Sequence, residues 1–436
     1  MTDDAQRLAE ALQSNDAAAA DAILSASAEL RAMLTRPLPH DPFGATVITH
    51  PAKRGDLAMV DVLLRHGADI NRRSDWWAGG FGVLDMCDPA IAPELITRGA
   101  RVDVNAAARL GLLDTLVQLL DADPALVHAR GGDGQTPLHV AANVGIAREL
   151  LKRGADIDAL DVDHESTPAQ YLVREHQDVA RYLVTRGCRT DILMAAALGA
   201  LELVKKHLAA NPESLRMRVT GEWLPMRDER AGGSIYIWTL GQGASPHSVS
   251  REFGHDDIYE YLMAHSPDDL KLIRAAQAAD AVLVQRFLGS RPANFASSLS
   301  VDDRQSLVSA AAQGNTAAVR LMLEAGWPTD GRGDSGGSPL HWAAWMGNAE
   351  IVRDLVRHGA ALEDRGDRYH MTPLDWAFHG SLNSWRKEKG DYAAAVRALL
   401  DAGAVAPDLA SVRASTAALE TLQGFPTRQP PAEPPS

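Results

Sequence analysis

At 436 residues the chain exceeds what one compact hydrophobic core ordinarily organises. Its net charge of −14, from 43 Lys and Arg against 57 Asp and Glu, argues against the basic footprint that a nucleic-acid or anionic-membrane surface needs. Two cysteines, Cys87 and Cys188, make neither a disulfide framework nor a zinc cluster. The opening MTDDAQRLAEAL lacks an apolar signal core, and no apolar run reaches the roughly 18 residues of a membrane span. A soluble cytoplasmic protein is expected.

Residues 1–45 read as a helical cap, with two Ala- and Leu-rich helices around Ser14-Asn15-Asp16. From His50 to Asn71 a helical pattern follows in which Val60, Leu63 and Leu64 share one face. The next stretch is irregular: RRSDWWAGGFGVLDM carries two adjacent tryptophans and two glycines before the closing Arg98-Gly99-Ala100. A further unit starts at Asn105.

The clearest stretch runs from Gly134 to Ile157, GQTPLHVAANVGIARELLKRGADI. Thr136 caps a helix with its hydroxyl, and Pro137 fits the first turn, where a missing N–H is no loss. Ala141 and Ala142 are small enough for close helix contact, and Gly154 ends the second helix in a left-handed cap. Related openings recur at Thr167-Pro168, Ser245-Pro246, Ser338-Pro339-Leu340-His341 and Thr372-Pro373-Leu374-Asp375. This pattern resembles the ankyrin repeat, with its T-P-L-H opening and period of about 33 residues. The resemblance implies an all-helical solenoid of about twelve helix pairs with β-hairpin fingers. It covers most of residues 46–404.

The expected divisions are a first repeat block at 46–215, an insertion at 216–244, a second block at 245–405, and a C-terminal helix with a disordered Pro-rich tail at 406–436. The insertion is expected to hold a strand or hairpin at Ser234–Leu240, where β-formers alternate with small residues. The halves are expected to form one continuous superhelix. The last unit carries an insertion of its own, SLNSWRKEKGDY.

The family resemblance implies that fingertips and the positions after the Ala-Ala pair meet ligands. Those positions hold Trp345 and, in the last unit, His379. Nine tryptophans are notable where aromatic content is only 5%. Trp342 and Trp376 sit at core-facing positions, whereas Trp345 is expected in the groove, where an exposed indole invites a partner. Trp76 and Trp77 on a finger, and Tyr236 and Trp238 in the insertion, complete the expected ligand-contact set. The finger Asp161-Val162-Asp163-His164-Glu165-Ser166 is the densest polar cluster. Asp163, His164 and Glu165 of this finger, with His379 of the last unit, are the weak candidates for acid–base work. Asp-rich fingertips are also ordinary turns, so no metal and no cofactor are expected. His139 and His341 are expected to bond neighbouring loop backbone. No phosphate loop, G-x-S-x-G elbow or H-E-x-x-H motif is present.

The leading expectation is therefore a scaffold that holds a protein or peptide in a concave groove. The rival is an enzyme or small-molecule binder whose fingers enclose a Trp, His and acid site. Neither reading involves nucleic acid or membrane.

Overall fold

A computed structural model describes residues 3–38, 41–333 and 335–425; the Pro-rich tail beyond Phe425 lies outside them. Among the described residues the chain is helical and contains no strand, only an isolated bridge between Pro37 and Thr46. It divides into two compact units, Met1–His255 and Asp256–Ser436.

In the first unit, short helices follow one another in pairs. Leu57–Arg65 follows Thr49–Arg54, Leu113–Ala122 follows Val104–Arg109, and Leu201–Ala210 follows Ile192–Ala197. The second unit repeats the scheme with Val301–Gln313 and Thr316–Ala325, Pro339–Trp345 and Ala349–Arg357, and Pro373–Asn383 and Tyr392–Asp401. Capping explains where many of the helices start. Thr372 accepts the Asp375 amide while Asp375 accepts the Thr372 amide, a reciprocal box with Pro373 in the first turn. Several second helices begin on Asp or Asn: Asp56, Asn143, Asn315 and Asn348 each accept the amide three residues on, whereas Leu113–Ala122 and Leu201–Ala210 start without a side-chain cap. Small buried residues on the first helices let neighbouring backbones approach. Ala106, Ala107 and Ala108 are at most 2% exposed, and Ala343 and Ala344 are wholly buried.

The stretch around Thr136 is shorter than its counterparts. Its first helix shrinks to one 3-10 turn, Pro137–Val140, while the second keeps nine residues, Val144–Lys152. His139 does the structural work expected of it. The Thr136 amide donates to His139 Nδ1 at 3.0 Å, and Nε2–H donates to the Ser166 carbonyl at 3.1 Å, one repeat on. His341 repeats this between Ser338 and Met371.

Among the described residues the expected hairpins do not form. The fingers close with single backbone bonds, such as Ser74 to Phe81 at 2.9 Å, Gly131 to Gln135 at 2.8 Å and Asp161 to Ser166 at 3.1 Å. That is too little pairing for a ladder. Fingertips instead bond to one another: Val162 donates to Asp133 and Asp133 to Gly79. Ser234–Leu240 also forms no strand; its second half is a π-helical turn, Ile237–Gly241. β propensity expresses a fit to neighbouring strands, and here none is available. The segment is fixed by Tyr236, which is wholly buried and donates its hydroxyl to Asp191 Oδ2 at 2.9 Å. Residues 219–244 fold within the first unit and lie along the Asp161–Ser166 finger.

Candidate functional site

The candidate site residues assemble in two places, one in each unit. In the second unit, Trp342 and Trp345 stand three residues apart on the helix Pro339–Trp345 and so share a face. Trp376 and His379 share a face of the helix Pro373–Asn383 in the same way. The insertion after that helix presents Trp385, and the finger before it presents Tyr369 and Met371.

These side chains line a cavity of about 350 Å³. Trp376 forms its floor, meeting Trp342 edge-on at 5.4 Å and Trp345 at 5.9 Å between ring centroids. Trp385 reaches Trp342 at 6.2 Å and Trp345 at 6.4 Å, and His379 lies 5.4 Å from Trp345. Trp385 is 69% exposed and Tyr369 59%, so both are lips rather than core. The walls are held from behind. Trp376 Nε1–H donates to buried Asp367, and the Trp345 carbonyl accepts Tyr392 Oη–H at 2.9 Å. Two glycines make room: a Cβ on Gly337 would lie 2.9 Å from the Trp376 ring, and one on Gly380 2.4 Å from the Trp345 carbonyl oxygen.

In the first unit the Asp161–Ser166 finger keeps Asp161, Asp163, His164 and Ser166 buried rather than solvated, while Val162 is exposed. Asp161 is its internal brace, accepting the His164 and Ser166 amides and the Tyr171 hydroxyl at 2.7–2.9 Å. Residues 219–244 clamp it from outside. Glu165 Oε1 accepts the Arg227 and Asp228 amides, both at 2.9 Å, and Ser166 Oγ accepts the Ile235 amide. His164 Nδ1–H donates to the Gly233 carbonyl at 2.8 Å, and Trp238 covers its ring at 4.7 Å. His164 Nε2 then faces Asp163 Oδ2 at 3.5 Å and Asp133 Oδ2 at 3.8 Å. Burial lifts the Asp133 carboxyl to about 6, with Asp163 and Asp161 adding to the lift and His164 opposing it.

Of the expected ligand contacts in this unit, Trp76 packs on Phe43 at 5.0 Å, and Trp77 lies under the Arg230 guanidinium at 4.2 Å. Tyr236 is a core residue. Trp238, 58% exposed, keeps an accessible face. Of the expected set, Trp345 and His379 line the second-unit cavity, and His164, Glu165, Trp76, Trp77 and Trp238 lie in the first unit. Asp133 was not legible as a partner of His164, because their approach depends on the fold of two successive fingertips. Trp385 and Tyr369 carried a signal, an exposed aromatic on an irregular segment, but nothing in their spacing tied them together.

Ankyrin-repeat models match this chain in three places. A three-copy model matches residues 104–195 and 272–365, and a single-repeat model matches residues 43–75, together about half of the chain. Among similar curated proteins, the Ankyrin repeat and SAM domain-containing protein 6 of Rattus norvegicus is 25% identical over 177 residues, 39% of this chain and 19% of that protein. Palmitoyltransferase Hip14 of Drosophila melanogaster is 34% identical over 71 residues, 16% of this chain and 11% of that protein. E3 ubiquitin-protein ligase KEG of Arabidopsis thaliana is 24% identical over 251 residues, 52% of this chain and 14% of that protein. The chain spans less than a fifth of each relative, so their named activities belong to those proteins. The repeat matches, the reciprocal caps and the finger-bonding histidines agree: the chain belongs to the ankyrin-repeat family.

Proposed function

We propose that this chain is a binding scaffold whose second unit captures a protein or peptide partner by taking one bulky apolar or aromatic side chain into the tryptophan-lined cavity. The observation that carries the reading is the cavity itself: about 350 Å³, walled by Trp342, Trp345, Trp376 and Trp385 and opening between two exposed aromatic lips. Anchors of this kind dominate the energetics of protein interfaces. The neighbours of the lips suggest what flanks the anchor. Arg368 precedes Tyr369, and Lys387 and Lys389 follow Trp385, all three exposed. Acidic residues beside the bulky side chain would complement them.

A small apolar molecule is the second reading, favoured by the cavity volume, which lies at the lower end of the range for small-molecule sites. His379 and Tyr369 are the titratable groups in the cavity lining, which holds no carboxylate, thiol or amine among the described residues. That composition supports binding over catalysis. Peptide display selection on the immobilised full chain tests the proposal. Enrichment of sequences with a bulky apolar residue among acidic ones, competed by one another, supports it. Selected peptides with no common anchor would overturn it.

A further inference from the structure

Two successive fingertips of the first unit gather three side chains of metal-ligating type. We propose that Asp133, Asp163 and His164 bind a divalent transition-metal ion of the zinc class, one ion per chain, leaving a fourth coordination position open.

Three independent features support this. First, one donor atom from each of the three side chains lies within 4.8 Å of the others. The two separations from His164 Nε2, 3.5 and 3.8 Å, approach the roughly 3.4 Å edge of a tetrahedron whose metal–ligand bonds are about 2.1 Å. Secondly, the imidazole is already set in a ligating orientation. The Gly233 carbonyl can only accept, so Nδ1 carries the proton, and in the neutral ring Nε2 presents its lone pair to the two carboxylates. A backbone carbonyl on the far nitrogen is the usual outer-shell partner of a metal-bound histidine.

The third feature is Asp133 Oδ1. Asp133 is 9% exposed, and this oxygen is buried with no hydrogen-bond donor. The neighbouring Trp76 indole N–H falls short of hydrogen-bond geometry, though it lies close enough to pull the Asp133 carboxyl down. A buried carboxylate oxygen without a donor is costly unless a cation meets it. By contrast, Asp161 has both oxygens occupied by donors and is excluded from the ligand set. Mixed imidazole and carboxylate donors suit zinc-class ions better than calcium or magnesium, which prefer oxygen cages. Gly232 closes the site: a Cβ there would lie 3.2 Å from Asp163 Oδ2 and 3.2 Å from the His164 ring.

The competing arrangement is a protonated His164 bridging two carboxylates with no metal. Calorimetric titration of Zn²⁺ into the chelator-stripped full chain, beside Asp133→Asn and His164→Gln, separates the two. The expected result is one zinc per chain in the parent, at least tenfold weaker in both variants, with Mg²⁺ giving no heat at the same concentration. Cobalt added to the parent should show the visible bands of a tetrahedral site, and these should vanish in both variants. Thermal unfolding without metal guards against misfolding. Asp133→Asn removes like-charge repulsion from Asp163 and should leave the metal-free melting temperature unchanged or raised. Zinc binding equal in parent and variants, or absent in the parent, would overturn the proposal. So would a metal-free Asp133→Asn that melts well below the parent, which is the signature of the bridging ion pair.

Discussion

Trp376 Nε1–H donates to Asp367 Oδ2 at 2.9 Å, with Asp367 only 2% and Trp376 6% exposed. This bond joins a finger to the helix behind it and holds the cavity floor in place. Burial raises the Asp367 carboxyl, but the Trp376 indole and the Met371 and Tyr369 amides outweigh it and hold it below the ordinary carboxylate range. Asp367→Ala leaves a buried indole N–H without an acceptor, a loss of about 1–3 kcal/mol. Urea unfolding of the variant should show a lowered midpoint.

Gly380 lies inside a helix, where Ala is ordinarily better by about 1 kcal/mol. Here the sign reverses. The new Cβ would sit 2.4 Å from the Trp345 carbonyl oxygen, which is rigid backbone. Gly380→Ala should destabilise the chain by about 1–3 kcal/mol. It should also spoil the cavity, since Trp345 must shift. A calorimetric melt reads the first effect and peptide affinity the second.

Two repeat histidines should withdraw their contribution to stability in mild acid. Burial depresses His139 from 6.5 to about 4, and burial also lowers His341. Each ring accepts an amide on Nδ1, a bond that protonation destroys. At these two rings the unfolded chain therefore binds more protons than the folded one, between about pH 6.5 and 4 for His139, while the raised Asp133 carboxyl works in the opposite direction. The neutral rings contribute fully above that window, and the contribution is lost as pH falls through it. For His139 the loss is on the order of 3 kcal/mol. In melts from pH 7.5 to pH 4, His139→Gln should lower stability at neutral pH and flatten its decline with acid.

The repeat frame was legible because its signals are local. Ser or Thr before Pro, an alanine pair, and Gly after the second helix each specify a cap or contact within a few residues. Ser234–Leu240 was misread because its β-formers describe a surface, and the fold supplies no strand beside it. Tyr236 instead uses its bulk to seal the insertion over Asp191. The cavity was legible only in part. Trp345 and His379 stood at groove positions, but Trp342 and Trp376, read as packing, also form its wall and floor. Trp385 joins them from an insertion whose path no periodicity specifies.

Removal of one lip asks the most direct question of the binding role. Trp385 is 69% exposed, so Trp385→Ala should change the melting temperature little. The measurement is the affinity, by fluorescence polarisation, of a display-selected peptide for the parent chain and for Trp385→Ala. An indole wall of an anchor pocket implies a loss of at least tenfold, about 1.4 kcal/mol or more. Equal affinity in a variant of equal stability would contradict the account and move the binding surface away from the tryptophan-lined cavity.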